Sequence, residues 1–197
     1  HSGGDIHLGR ASGNQVMGRV LFDAMKKFPG LRLAAVQGGQ FDNVICSRCD
    51  AAVAVPAGME TAFEEFVRAY DAILKNEYAG CDDGITLSCG AADVTFAVSA
   101  ADTSVMLHVL VALPQGVQAM SVDFPGLVQT SLNMGVLRLK EDGLHVTFSI
   151  RSCIASQKEM LAQRVRAIVE FAGGTVTERG KYPGWQYERQ SKFRDMV

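Results

Sequence analysis

Four histidines and five cysteines are the side chains in this 197-residue sequence best suited to hold a metal or act on a substrate. Asp5-Ile6-His7 sets a carboxylate two residues from an imidazole. In a strand both would point to one face, as a metal pair could use. A zinc site needs three or four ligands, and no other segment completes this one. His108 sits in an apolar helical run, the setting of a core histidine. His145 falls on the polar face of a strand, where solvation is the ordinary state. Cys46-Ser47-Arg48-Cys49 has the spacing of half a zinc knuckle or of a redox pair. A knuckle needs a second pair, and none is present. A thioredoxin-like pair opens a helix. This one lies inside a predicted strand, where its two sulfurs would point to opposite faces. Structural thiols are the simpler reading. The cysteines (Cys46, Cys49, Cys81, Cys89, Cys153) are odd in number and irregular in spacing, which fits reduced thiols of a cytoplasmic protein. No Gly-x-Ser-x-Gly elbow or phosphate loop is present. Taken alone, the residues describe a soluble α+β domain without a complete catalytic constellation.

The elements that must position these groups follow from periodicity. Val16, Met17, Val20, Leu21, Ala24, Met25 and Phe28 recur at helical steps, stopped by Pro29-Gly30. Strands are predicted over Leu31–Val36 and Asn43–Val55. A helix follows with Phe63, Phe66, Val67, Tyr70, Ile73 and Leu74 on one face. After an Asp- and Gly-rich stretch, Val94, Phe96 and Val98 alternate like a strand. Asp102 or Thr103 can cap a helix through Leu113. Leu127–Leu139 reads as a strand, Glu141-Asp142-Gly143 as a hairpin turn, and Leu144–Arg151 as a half-buried strand with Arg151 on its polar face. Ser156-x-x-Glu159 has the capping-box pattern of a helix that ends at Gly173-Gly174, and Thr175–Glu178 is a last short strand. Strands and helices thus recur in one order twice. The expected fold is α+β, antiparallel sheets covered by helices, a duplicated ferredoxin-like unit with halves at 1–80 and 81–197.

Composition bounds the function. Hydrophobic residues make up 48% and charged residues 20%, enough for a real core. Nineteen Lys and Arg against 21 Asp and Glu leave a net charge of -2, so no basic excess serves a nucleic-acid backbone. No run reaches the roughly 18 apolar residues of a membrane helix. No signal peptide opens the sequence. A cytoplasmic protein with neither nucleic acid nor membrane as partner is expected.

Several separated segments carry a family resemblance. His1-Ser2-Gly3-Gly4-Asp5-Ile6-His7-Leu8-Gly9-Arg10-Ala11 resembles the HSGxDIHxGRAN stretch of bacterial aminoacyl-histidine dipeptidases, the carnosinase-like two-zinc metallopeptidases also called cytosolic non-specific dipeptidases. Gly38-Gly39 with Asn43-Val44-Ile45 is similar to the family's GG…NAIPRE segment, although Cys46 and Arg48 replace its proline and glutamate. Thr130–Val136 is similar to TSLNLGVV, and Phe148–Ser152 to SVRSS, with Cys153 at a serine-like position. Tyr182-Pro183-Gly184-Trp185 matches the YPGW after the last strand. The segments span nearly the whole sequence, in family order.

The resemblance implies a lid, or dimerisation, domain rather than the zinc-binding domain. Two zinc ions would be bound by a catalytic domain absent from this chain, which alone should be inactive. The implied substrate is a dipeptide of Xaa-His type with a free C-terminal carboxylate. His1 matches the lid histidine that stabilises the oxyanion, Asn43 the asparagine that hydrogen-bonds substrate, and Arg151 the arginine that holds the carboxylate. The implied partners are the dipeptide, the protein's own catalytic domain and a second copy through the lid. Whether His1 serves its own active site or a partner subunit's is left open. The competing reading is a free-standing ferredoxin-like binding or dimerisation module without catalysis; a weaker third is a Cys46/Cys49 redox protein. The lid reading predicts a natural reading frame that extends on both sides.

Overall fold

A computed structural model of the chain describes residues 1–182 and 184. Its elements are α1 (Ser2–Asp5), α2 (Gly13–Lys27), β1 (Arg32–Gly38), β2 (Cys49–Ala54), α3 (Glu60–Glu77), α4 (Ala100–Ala112), β3 (Gly116–Met120), β4 (Val128–Lys140), β5 (Gly143–Ser152) and α5 (Ala155–Phe171), with a short 3-10 turn at Ile6–Leu8. The class is α+β with antiparallel pairing, as the periodicity implied. The described strands join one five-stranded sheet. Its spine is β4, which pairs β5 along one edge and both β3 and β1 along the other; β2 extends the sheet beyond β1.

One face of the sheet is apolar. Leu33, Val36, Leu132, Met134 and Leu137 meet Leu21 of α2, Leu107 and Leu110 of α4 and Leu161 and Val165 of α5 in a main core. A second cluster lies between α2 and α3, where Val20, Ala24 and Phe28 pack on Phe66, Val67, Tyr70 and Leu74. Helix α2 serves both clusters, which explains its wide apolar stripe. In β4, Leu132 and Met134 share a face by alternation, but Leu137 is out of phase with them. A register shift between Met134 and Val136 absorbs one residue and brings Leu137 into the core. Alternation with Leu132 and Met134 puts Ser131 and Asn133 on the opposite, polar face. Arg151 of β5 stands directly across from Ser131 and shares that face.

Five expectations change. The strand predicted over Asn43–Val55 forms only from Cys49, because residues 41–46 cross over β4 as a loop. Val94–Val98 is irregular: Val98 N–H bonds to Leu33 O, but Phe96 is 65% exposed. Helix α4 is capped by Ser99, whose Oγ accepts from Asp102 N–H. Ser156 lies inside α5, past its N-cap Ile154, and Thr175–Glu178 is not a strand. Strand β3 was not foreseen. The Tyr182–Trp185 segment lies partly outside the described residues.

The crossing loop is fixed by close backbone approach. A Cβ on Gly135 would sit 2.5 Å from Asp42 Cα and O, and one on Gly39 (φ 70°) 1.8 Å from Gly135 O. Only glycine fits either place. Arg138 donates to the carbonyls of Gly38 and Gly39 and pins the turn that launches the loop.

Candidate functional site

Residues 1–5 form a single helical turn because the His1 side chain caps it. Gly3 N–H donates to His1 Nδ1 at 3.1 Å. A backbone N–H can only donate, so Nδ1 carries the lone pair. The neutral ring then has its proton on Nε2. The Asn43 amide lies 3.2 Å from Nε2. The atom facing Nε2 is the amide nitrogen Nδ2, which cannot accept from Nε2–H, so this tautomer requires the Asn43 amide turned over with Oδ1 as acceptor. The His1 ring is thus held by Gly3 on one nitrogen and by Asn43 on the other.

Ser2 ties the turn to the crossing loop. Its N–H and its Oγ–H both donate to Asn43 O, at 3.0 and 2.9 Å. From beneath, Asn133 fixes the same loop. It is 1% exposed, and its amide nitrogen donates to Asp42 O and Val44 O at 2.7 and 2.8 Å, straddling Asn43. Replacing Asn133 by Asp keeps the shape but sets oxygen against both carbonyls. This should cost about 2–4 kcal/mol, read as a lower melting temperature. An unchanged transition would contradict the clamp.

Arg151 completes the group. A Cβ on Gly3 would lie 3.0 Å from the His1 ring and 3.4 Å from Arg151 Cζ, so the missing side chain at Gly3 lets imidazole and guanidinium approach from its two sides. Arg151 Nε is buried with no hydrogen-bond partner, and no ion pair engages its guanidinium among the described residues. A half-buried cation left unpaired is costly unless something else pairs it. It lines a cavity of about 220 Å³ together with Gly3, Ser131, Ser152, Lys158 and Tyr182. The fold thus brings His1, Asn43 and Arg151 to one place. Asn133 and Lys158 were not singled out from sequence; Asn133 stood inside the TSLN segment, and Lys158 gave no local signal. A second recess of about 320 Å³, lined by His7, Arg10 and Gln15, holds none of the three.

The remaining reactive groups stay apart. Asp5 and His7 lie in helical turns rather than a strand, so they do not share a face. His108 is exposed, not a core residue; its Nδ1 meets Ser104 O at 2.7 Å and its ring stands edge-on to Phe22. His145 is exposed and meets Asp142 at 2.8 Å. Among the described residues no group of three or more His, Cys, Asp or Glu is placed to hold a metal ion. All five cysteines are free. Cys46 is buried beside Asn14 and the Arg48 carbonyl, and burial pushes its thiol up. Burial, with the neighbouring Cys46 and Asp50 adding to it, pushes the Cys49 thiol up to about 12. Thiolate at neutral pH is therefore scarce at both. A disulfide reagent at pH 8 should label the exposed Cys81 and Cys89 promptly and reach Cys46 and Cys49 only on unfolding. Prompt labelling of the Cys46/Cys49 pair would revive the redox reading.

Comparison with known proteins agrees with this fold. Residues 1–81 match the peptidase dimerisation domain family. The whole chain is 32% identical to the cytosol non-specific dipeptidase of Escherichia coli, of which it covers 41%. It superposes on the aminoacylhistidine dipeptidase of Vibrio alginolyticus with a TM-score of 0.90 at 31% identity, covering all of this chain and 40% of that one. The chain spans about two fifths of the length of the relatives it matches. In sequence and in fold, the chain is similar throughout to part of these dipeptidases, and over residues 1–81 to the peptidase dimerisation domain.

Proposed function

We propose that this domain closes over the active site of a dipeptidase and supplies three substrate contacts: His1, Asn43 and Arg151. The observation that carries the reading is the Arg151 guanidinium, unpartnered among the described residues, beside the His1–Asn43 pair. A guanidinium fork accepts a carboxylate through two parallel N–H···O bonds and stays charged at any working pH. Arg151 binds the free C-terminal carboxylate of the substrate, which restricts cleavage to short peptides. His1 Nε2–H donates to the scissile carbonyl oxygen as negative charge grows there. Asn43, released from His1, turns to the substrate's peptide group. Closure excludes water and completes the site.

Zinc, two ions in the family resemblance, would be held by a catalytic part outside these residues, where it would supply an activated water. The described residues do not fit such a group, so the domain's contribution is binding and charge stabilisation alone. The Xaa-His preference, a homodimer formed through the lid and a cytoplasmic setting complete the proposal. Among the described residues no helix is long and apolar enough to cross a membrane.

The test is hydrolysis by the full-length protein of Ala-His and of its C-terminal amide, before and after chelation. Metal-dependent cleavage of the free acid, with the amide cleaved poorly, supports the reading. Equal cleavage of both would remove the carboxylate contact. A reading frame without a catalytic part would favour the stand-alone binding module.

A further inference from the structure

One edge of β4 has a gap between its two partners. Strand β3 pairs with it as far as Leu132, and β1 takes over at Leu137. The crossing loop lies against the stretch between, with Asp42 close to Gly135 and the Asp42 and Val44 carbonyls on Asn133. Side chains take the place of a strand there. Met134 N–H donates to Gln115 Oε1 at 2.5 Å, and Met134 O accepts from Asn14 Nδ2 at 3.0 Å. Gln115, in the turn from α4 to β3, reaches one step further: its Nε2 donates to Asn133 Oδ1 at 3.4 Å. Partners of fixed polarity orient both amides. Met134 N–H can only donate, so Gln115 turns Oε1 to it and Nε2 to Asn133. Backbone carbonyls can only accept, so Asn133 turns Nδ2 to Asp42 and Val44 and Oδ1 to Gln115. The bonds thus run from Met134 through Gln115 and Asn133 to the carbonyls on either side of Asn43. Asn43 in turn holds Ser2 by its own carbonyl and meets the His1 ring by its side chain.

We propose that Gln115 is a positioning residue for catalysis: by fixing which way round the Asn133 amide sits, it places Asn43 and, through Asn43, the His1 ring. The inference rests on the roles given to His1 and Asn43 above. Gln115 acts through Asn133 and takes no part in bond cleavage. A carboxylate at this position would keep the acceptor for Met134 N–H and lose the donor for Asn133. Oxygen would then face Asn133 Oδ1, which favours the turned amide, and a turned amide sets Oδ1 against the Asp42 and Val44 carbonyls. The loop around Asn43 would be released, while Arg151, on β5, would keep its place.

The experiment is steady-state hydrolysis of Ala-His and of its C-terminal amide by the full-length protein. Gln115→Glu should lower kcat on Ala-His by about tenfold, the scale of a small misplacement of catalytic groups. The preference for the free acid over the amide should stay as in wild type, because Arg151 is untouched. In a His1→Ala, Asn43→Ala background the same substitution should cost less than about twofold, since the groups it positions are gone. Gln115→Met, of similar length but without donor or acceptor, should behave alike, and it carries the test if the charged variant does not fold. Wild-type kcat in the Gln115 variants would overturn the inference. So would an equal loss in the double background, or a lost preference for the free acid, either of which would mark a general structural effect. Wild-type kinetics in both His1→Ala and Asn43→Ala would instead overturn the proposed function, and this inference with it.

Discussion

Arg151→Ala in the full-length enzyme should lower kcat/KM on a free dipeptide by about 10²–10³-fold, chiefly through KM. Two charge-assisted hydrogen bonds are lost, worth about 1.5–3 kcal/mol each net of the exchange with water. The guanidinium has no competing partner in the described structure, so no internal ion pair dilutes the effect. Arg151→Lys should recover only part of the loss, because a point charge cannot reproduce the fork. A dipeptide amide, cleaved slowly at the outset, should be nearly insensitive to the substitution. Steady-state kinetics on the two substrates checks both statements. An unchanged kcat/KM on the free dipeptide would remove Arg151 from the site.

The second large effect is at His1. Loss of a single oxyanion donor typically costs about 10²–10³ in kcat. His1→Ala should show that loss with KM little changed, since the contact strengthens only as charge develops. The local fold sharpens the expectation. Nδ1 is occupied by Gly3 N–H, so only the Nε2–H tautomer suits the turn. A protonated ring would set N–H against N–H at Nδ1 and release the cap of α1. Gly3→Ala should then mimic part of the loss, because its Cβ would stand 3.0 Å from the ring and 3.4 Å from Arg151 Cζ. A His1→Ala variant with KM raised and kcat intact would instead make His1 a ground-state binding group.

Much of the framework was legible from periodicity. The helical steps of Val16–Phe28 and Phe63–Leu74 returned as α2 and α3, and the alternation of Leu144–Arg151 returned as β5 with Arg151 on the polar face. Those patterns work because each element buries one continuous stripe. Where burial is not one-sided, the pattern misled. Val44 and Ile45 looked like strand residues, but the loop they occupy is held by Asn133 and by close approach at Gly135, both distant in sequence. The Gly116–Met120 strand lacks a clean alternation, and its pairing with β4 carries two register shifts. His108 sat in an apolar run, yet that helix leaves Val105 and Val111 exposed too, so apolar sequence did not mean core.

The site divides in the same way. His1, Asn43 and Arg151 were named through short motifs, and nothing in sequence spacing says that residues 1, 43 and 151 meet. Their meeting depends on the Ser2–Asn43 bonds, on the missing Cβ of Gly3 and on the Ser131–Arg151 register. Lys158 gave no signal in the sequence because its place beside Arg151 shows only as a shared cavity lining.

The most direct test of the central claim is a crystal structure of the full-length protein with a non-hydrolysable phosphinic dipeptide analogue. The account predicts the analogue's carboxylate on Arg151 and its phosphinate oxygen within hydrogen-bond distance of His1 Nε2. Asn43 should contact the ligand, and the histidine should come from either the same or the partner subunit. An analogue bound at the metals with none of these three side chains in contact, in a closed lid, would contradict it.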